Sequence, residues 1–208
     1  MPDRSCRAIC WTPLWHARLP GVGLEQLLLG EGWADGCILA FDEAEGEGSG
    51  GESGEPPFRL DYRLDWDAGW RLRKAQLGLR RVEAAHGLVE RSLVLHTDGA
   101  GRWWGDDDAL DALAGCVDID IWPTPFTNSF PIRRVPLAVG ERREFRMAWV
   151  NAPALTVAPQ AQAYTRLAQH RYLFESLDGS GFRVVLEVDD EGIVVDYPGF
   201  FRRAPAQA

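Results

Sequence analysis

Residues 58–66 read FRLDYRLDW. Phe58, Leu60, Tyr62, Leu64 and Trp66 alternate without a fault with Arg59, Asp61, Arg63 and Asp65. Successive side chains of a strand point to opposite faces, so this segment is a β-strand with one buried and one wetted face. Similar short segments lie on both sides of it. Trp70 to Leu79 sets Leu72, Leu77 and Leu79 against Arg71, Arg73 and Arg80, and Leu88 to His96 is a further strand. Thr97-Asp98-Gly99-Ala100-Gly101 reads as a hairpin loop, with Arg102-Trp103-Trp104 starting the return. Upstream, residues 8–19 suit an edge or bent strand because a proline interrupts them. Leu24 to Leu29 has helical propensity, but Gly23 and Gly30 bound it too closely for a free-standing helix, so it is read as a strand. Gly36 to Phe41 is the next strand.

Towards the C-terminus, Glu144 to Val150 alternates, and Asn151 to Pro159 is a proline-punctuated loop. Ala163 to Leu167, Tyr172 to Leu177, Phe182 to Val188 and Ile193 to Tyr197 complete the strands, and Pro198-Gly199 breaks the last of them. Asp106 to Leu113 is the best helix candidate, capped by Asp106 or Asp107. Residues 43–57, EAEGEGSGGESGEPP, hold five Glu and five Gly and cannot bury enough apolar surface to offset their ordering entropy. They are expected as a loop within one domain, and 204–208 as a frayed tail. A dozen or more short strands with at most one or two short helices define an all-β, antiparallel, single-domain fold. Consecutive hairpins favour a meander that rolls up or closes. Patterning alone leaves barrel and sandwich both open.

Composition narrows the function. The 208 residues carry 31 Asp and Glu against 22 Lys and Arg, a net charge of −9. Nucleic-acid binding and docking on anionic lipid surfaces both call for clustered cations, which an acidic chain does not favour. Nine Trp, nine Phe and four Tyr suit a wide β core or an amphipathic cavity wall. Cys6, Cys10, Cys37 and Cys116 form no C-x-x-C pair, and Cys6, Cys10 and His16 are too loosely spaced for a structural zinc site. Neither a metal nor a cofactor is expected. The first residues lack the apolar run of roughly 7–15 residues of a signal peptide. No stretch of about 20 apolar residues is present to span a membrane. A cytoplasmic location is expected.

The polar chemistry concentrates in Cys116 to Val135, CVDIDIWPTPFTNSFPIRRV. Val117, Ile119 and Ile121 alternate with Asp118 and Asp120, and a Trp122-Pro123-Thr124-Pro125 interruption follows. The two aspartates share one strand face about 6.6 Å apart, within the spacing of an inverting glycosidase pair. Alternatively they face solvent, or pair with Arg133 and Arg134 on a neighbouring strand. Thr124, Thr127 and Ser129 are turn formers before they are nucleophiles. His16, His86, His96 and His170 lie far apart, and neither G-x-S-x-G nor G-x-x-x-x-G-K occurs. No catalytic residue is assigned. Arg133 and Arg134, if on a strand, point to opposite faces. One would meet the aspartates; the other would be free to grip a head group.

The segment GCVDIDIWPTPFTNSFPIRR, with Tyr164-Thr165-Arg166-Leu167 and Asp196-Tyr197-Pro198-Gly199-Phe200-Phe201-Arg202, resembles the bacterial glycolipid-binding family first catalogued as a domain of unknown function. The resemblance runs from about Arg7 to Arg203, with 43–57 as an insertion. It implies a spiral antiparallel β-roll or barrel-like sheet and a glycolipid or other amphipathic ligand, and it carries over no catalytic residue. The ligand-binding candidates are Asp118, Asp120, Thr124, Thr127, Asn128, Arg133, Arg134, Tyr164, Tyr197 and Arg202. A rolled sheet rich in aromatic residues can line a groove for acyl chains, with polar side chains at its mouth. The expected function is non-enzymatic binding. The alternatives are an enzyme acting on a sugar or lipid conjugate through Asp118 and Asp120, and a protein-interaction module with a Trp-rich face.

Overall fold

The structure is a computed structural model that describes residues 6–14, 23–40, 57–106 and 108–205. The segment expected as an acidic loop, apart from Pro57, lies outside the described residues, as do His16 and residues 206–208 of the tail.

Among the described residues, fourteen strands form one sheet. They are β1 (Arg7–Pro13), β2 (Leu24–Gly30), β3 (Trp33–Ala40), β4 (Phe58–Trp66), β5 (Leu72–Glu83), β6 (Gly87–Thr97) and β7 (Trp103–Trp104) in the first half. The second half holds β8 (Asp118–Trp122), β9 (Arg142–Asn151), β10 (Thr156–Ala168), β11 (Arg171–Ser176), β12 (Arg183–Val188), β13 (Val194–Tyr197) and β14 (Phe201–Arg203). The order across the sheet is β7-β6-β5-β4-β3-β2-β1-β14-β13-β12-β11-β10-β9-β8. Two meanders therefore meet where β1 pairs with β14, Trp11 opposite Arg203. Trp11 is fully buried there, and its Nε1 donates to the Val194 carbonyl at 2.9 Å.

The sheet curls until its ends meet. Trp103 of β7 donates from Nε1 to the Cys116 carbonyl at 2.7 Å, just before β8. Gly115 N–H donates to Gly101 O at 2.9 Å. Arg81 of β5 reaches Pro153 O, in the β9–β10 turn, at 3.0 Å. No ladder joins β7 to β8 among the described residues, so the roll stays open. The period-two reading of β4 holds: Phe58, Leu60, Tyr62, Leu64 and Trp66 are all buried, and the residues between them are not.

Four local expectations are corrected. Arg133 and Arg134 lie on a helix, α1 (Ser129–Arg134), and not on a strand. This stretch is packed inside the roll, away from any free strand edge, so helical turns satisfy its backbone groups internally. Pro131 sits in the first turn, where its missing N–H would have no partner anyway. Second, among the described residues of Asp106 to Leu113, which leave out the candidate cap Asp107, only Asp111–Leu113 makes a 3-10 turn, with Leu113 buried. Trp104 instead bridges to Ala109, and so short a helix has too few hydrogen bonds to offset its nucleation. Third, of Asn151 to Pro159 only residues 152–155 form a turn, while Asn151 ends β9 and Thr156 to Pro159 begin β10. Pro159 lies opposite Ala148, on a part of β10 that β11 does not flank, where a missing N–H is tolerated. Fourth, β8 pairs with β9 in parallel, from Asp118 opposite Met147 to Trp122 opposite Asn151. Parallel neighbours need a long crossover, and residues 123–141 supply it.

Candidate functional site

The crossover from β8 passes through the interior. Residues 123–132 are all buried, and Phe126 and Phe130 are fully so. The chain fills its own roll here with side chains that anchor to both meanders. On the β8 side, the Asp118 carboxylate is buried and takes a two-pronged bond from Arg134, Nε to Oδ1 at 2.8 Å and Nη2 to Oδ2 at 2.5 Å. Burial pushes the Asp118 carboxyl upward and the guanidinium opposes that shift. Asp120 accepts from Thr127 Oγ1 at 3.0 Å and from Gln162 Nε2 of β10 at 2.5 Å. Desolvation raises its carboxyl too. Thr127 Oγ1 also accepts from the Ile121 N–H at 3.1 Å, tying the turn back to β8. Asn128 donates to Pro125 O at 3.1 Å and accepts from the Tyr164 hydroxyl at 2.8 Å.

On the opposite wall, Glu25 of β2 is 1% exposed. Its Oε1 accepts from the Tyr62 hydroxyl at 2.5 Å and from Thr124 Oγ1 at 2.7 Å, while Oε2 has no partner. Burial with no cation in contact pushes this carboxyl to about 7.

The structure thus gathers Asp118, Asp120, Thr124, Thr127, Asn128, Arg134 and Tyr164 around one interior segment. Tyr197 adjoins them, buried in an aromatic cluster with Phe200 and Phe201 at 5.1 and 5.8 Å between ring centres, where burial and the nearby Asp120 carboxylate raise its hydroxyl above the usual tyrosine range. Arg202 lies on the exposed side of β14 and pairs with Asp196 at 3.0 Å, away from the interior. Glu25, Tyr62 and Gln162 were missed as site residues. A signal for Glu25 was present: it shares a period-two face with Leu27 and Leu29, whose side chains are buried.

Arg133 takes a different course from Arg134. It leaves α1 into a surface cleft of about 520 Å³ floored by Trp66 and Trp70. The two indoles stack at 4.9 Å, and Phe130 of α1 packs edge-on against both, at 5.4 and 5.6 Å. The Arg133 guanidinium lies 4.8 Å over the Trp70 ring and donates to the Glu191 carbonyl. Arg7 closes one side through an ion pair with Glu191 at 2.7 Å.

Trp70 adopts φ 58°, in the left-handed region. The turn from β4 to β5, Asp67-Ala68-Gly69-Trp70, is knotted by Asp67, whose Oδ1 accepts from the N–H groups of Gly69 and Arg71 at 2.8 and 3.0 Å. Glycine or asparagine normally fills such a position, and a bulky residue there costs about 1–2 kcal/mol. The ring is half-buried, so burial alone does not explain why an indole occupies that backbone position.

Residues 14–203 match the model of a family described as "Putative glycolipid-binding". The chain belongs to this family. It is also similar to the crystal structure of a DUF1089-family protein from Pseudomonas aeruginosa, at 46% identity and a TM-score of 0.79. That likeness covers 89% of this chain and 94% of the other. No curated protein matches the chain significantly. The glycolipid-binding family match takes in the whole interior segment and most of the cleft, including Trp66, Trp70 and Arg133. Among the described residues, no helix is long and apolar enough to cross a membrane, and no group of three or more His, Cys, Asp or Glu is placed to hold a metal ion.

Proposed function

We propose that this protein binds an amphipathic small molecule, a glycolipid or lipid-like compound, in the cleft floored by Trp66 and Trp70, and does not transform it. One observation carries the assignment: a half-exposed indole held at φ 58° on a turn that would be more stable with glycine. Strain of that kind persists where a side chain must be displayed in one orientation, and a flat indole suits the apolar face of a sugar or an acyl chain. The description of the family supports a glycolipid as the ligand class. Asp118 and Asp120 serve in this view as framework. Arg134 holds the first, and Thr127 and Gln162 hold the second, so neither carboxylate is left facing an open space for chemistry. With Thr124, Asn128 and Tyr164 they fix the interior segment and, through α1, the position of Arg133. The free thiols of Cys6, Cys10, Cys37 and Cys116 support a reducing, cytoplasmic setting.

Native mass spectrometry of protein purified from its own host tests the proposal. A retained amphiphile mass is expected in the wild type and should be lost in Trp70→Ala. Bare chain in the wild type, with no uptake from added octyl glucoside, would overturn it.

A further inference from the structure

We infer that the cleft selects amphiphiles whose head group carries a single negative charge, a phosphodiester or a carboxylate, and that Arg133 is the residue that reads it. The inference rests on the binding function proposed above and names the ligand's chemistry.

The charges around the cleft are accounted for one by one. Glu191 is neutralised by Arg7 at 2.7 Å. Asp67 is neutralised by Arg73 at 2.7 Å and by two backbone N–H groups. Glu31, in the β2–β3 turn, is exposed to solvent, where screening weakens it. Of the two arginines lining the cleft, Arg7 is paired and Arg133 has no carboxylate partner among the described residues, although the chain as a whole is acidic. Its neighbour on α1, Arg134, spends its charge on buried Asp118.

Arg133 is also held in place. Its guanidinium is clamped between the Trp70 face and the Glu191 carbonyl. That carbonyl belongs to a turn fixed by Asp189, whose Oδ1 accepts from the Glu191 and Ile193 N–H groups at 2.9 Å each and whose Oδ2 pairs with Arg203 at 2.6 Å. Gly192 makes the passage possible: at φ +74°, a Cβ built on it would lie 3.0 Å from Arg133 Cδ. The carbonyl engages only Nη1, so the remaining N–H groups of the fork are not used by any residue described. A planar, immobilised, unpaired guanidinium beside two stacked indoles matches one oxyanion next to an apolar body. The overall charge of −9 and exposed Glu31 disfavour a multiply charged head group.

Isothermal titration calorimetry with three probes tests this. Dihexanoyl phosphatidylglycerol carries one phosphodiester, octyl glucoside is neutral, and inorganic phosphate lacks an apolar body. The wild type should bind the phosphatidylglycerol best. Arg133→Gln should weaken it on the order of tenfold to a hundredfold, the worth of a charge-assisted hydrogen bond, and weaken octyl glucoside, which offers no anion, far less. Arg133→Lys should recover only part of the loss. Arg133 is exposed, so the melting temperature should hold and folding failure is not a confound. Phosphatidylglycerol binding unaffected by Arg133→Gln overturns the anion inference and leaves amphiphile binding standing. Inorganic phosphate binding as tightly as phosphatidylglycerol keeps the anion site and overturns the amphiphile. Binding of none of the three overturns both.

Discussion

Replacing Glu25 by Gln should abolish one component of the pH dependence of stability. Burial raises the Glu25 carboxyl from 4.5 to about 7, because its two hydrogen-bond donors, Tyr62 and Thr124, do not offset the loss of water. The folded state therefore binds the proton more tightly than the unfolded state. With ∂ΔG/∂pH proportional to protons bound unfolded minus folded, the sign is negative. The contribution is fully present below pH 4.5 and is lost as pH rises through about 7. At ~1.4 kcal/mol per pH unit, the change amounts to about 3 kcal/mol. Asp118 and Asp120 are also raised and act with the same sign, so the informative quantity is the difference between variant and wild type. Glutamine keeps the acceptor that Tyr62 and Thr124 use. It places an amide nitrogen where Oε2 has no partner, a penalty that does not vary with pH. Urea unfolding followed by tryptophan fluorescence at a series of pH values from 4.5 to 8 measures the difference. Wild type should lose about 3 kcal/mol relative to Glu25→Gln across that range. Parallel stability curves for the two proteins would refute the claim that the carboxyl is buried and neutral.

Arg134→Ala should cost about 3–5 kcal/mol, because it strands Asp118, which is 1% exposed, without its cation; an unchanged urea midpoint would show the pair to be dispensable. Trp70→Gly should be about 1 kcal/mol more stable than Trp70→Ala, since only glycine adopts φ 58° without strain; equal melting temperatures would remove the strain. Assayed on chromogenic glycosides and esters, the wild type should turn over none of them, whereas hydrolysis that vanishes in Asp118→Asn would establish the enzyme.

The strands of this roll were legible because the physics that forms them is local. Phe58 to Trp66 states its buried face in its own alternation, and Leu24 to Leu29 is delimited by its flanking glycines. Helix α1 was not legible, since Phe130 and Ile132 alternating with Pro131 and Arg133 look like another strand. What decides the matter is its place inside the curled sheet, a consequence of which strands pair far away. The pairing of an arginine with an aspartate of β8 was anticipated, but the geometry that assigns it to Arg134 is helical. The cleft was hidden for a similar reason. It draws on the turns near Gly32, Asp67 and Glu191 and on one residue of α1, none adjacent in sequence. In Asp67-Ala68-Gly69-Trp70 the glycine suggests itself as the left-handed residue, yet the turn places the tryptophan there.

Photolabelling is the most direct test of the cleft as the binding site. A short-chain phosphatidylglycerol bearing a diazirine on its acyl chain would be crosslinked to the wild type and the adducts mapped by peptide mass spectrometry. Labelling should concentrate on peptides containing Leu29 to Gly32 and Trp66 to Trp70, be competed away by unlabelled lipid and fall in Arg133→Gln. Labelling spread over other strands, or insensitive to both competition and Arg133→Gln, would contradict binding in the cleft.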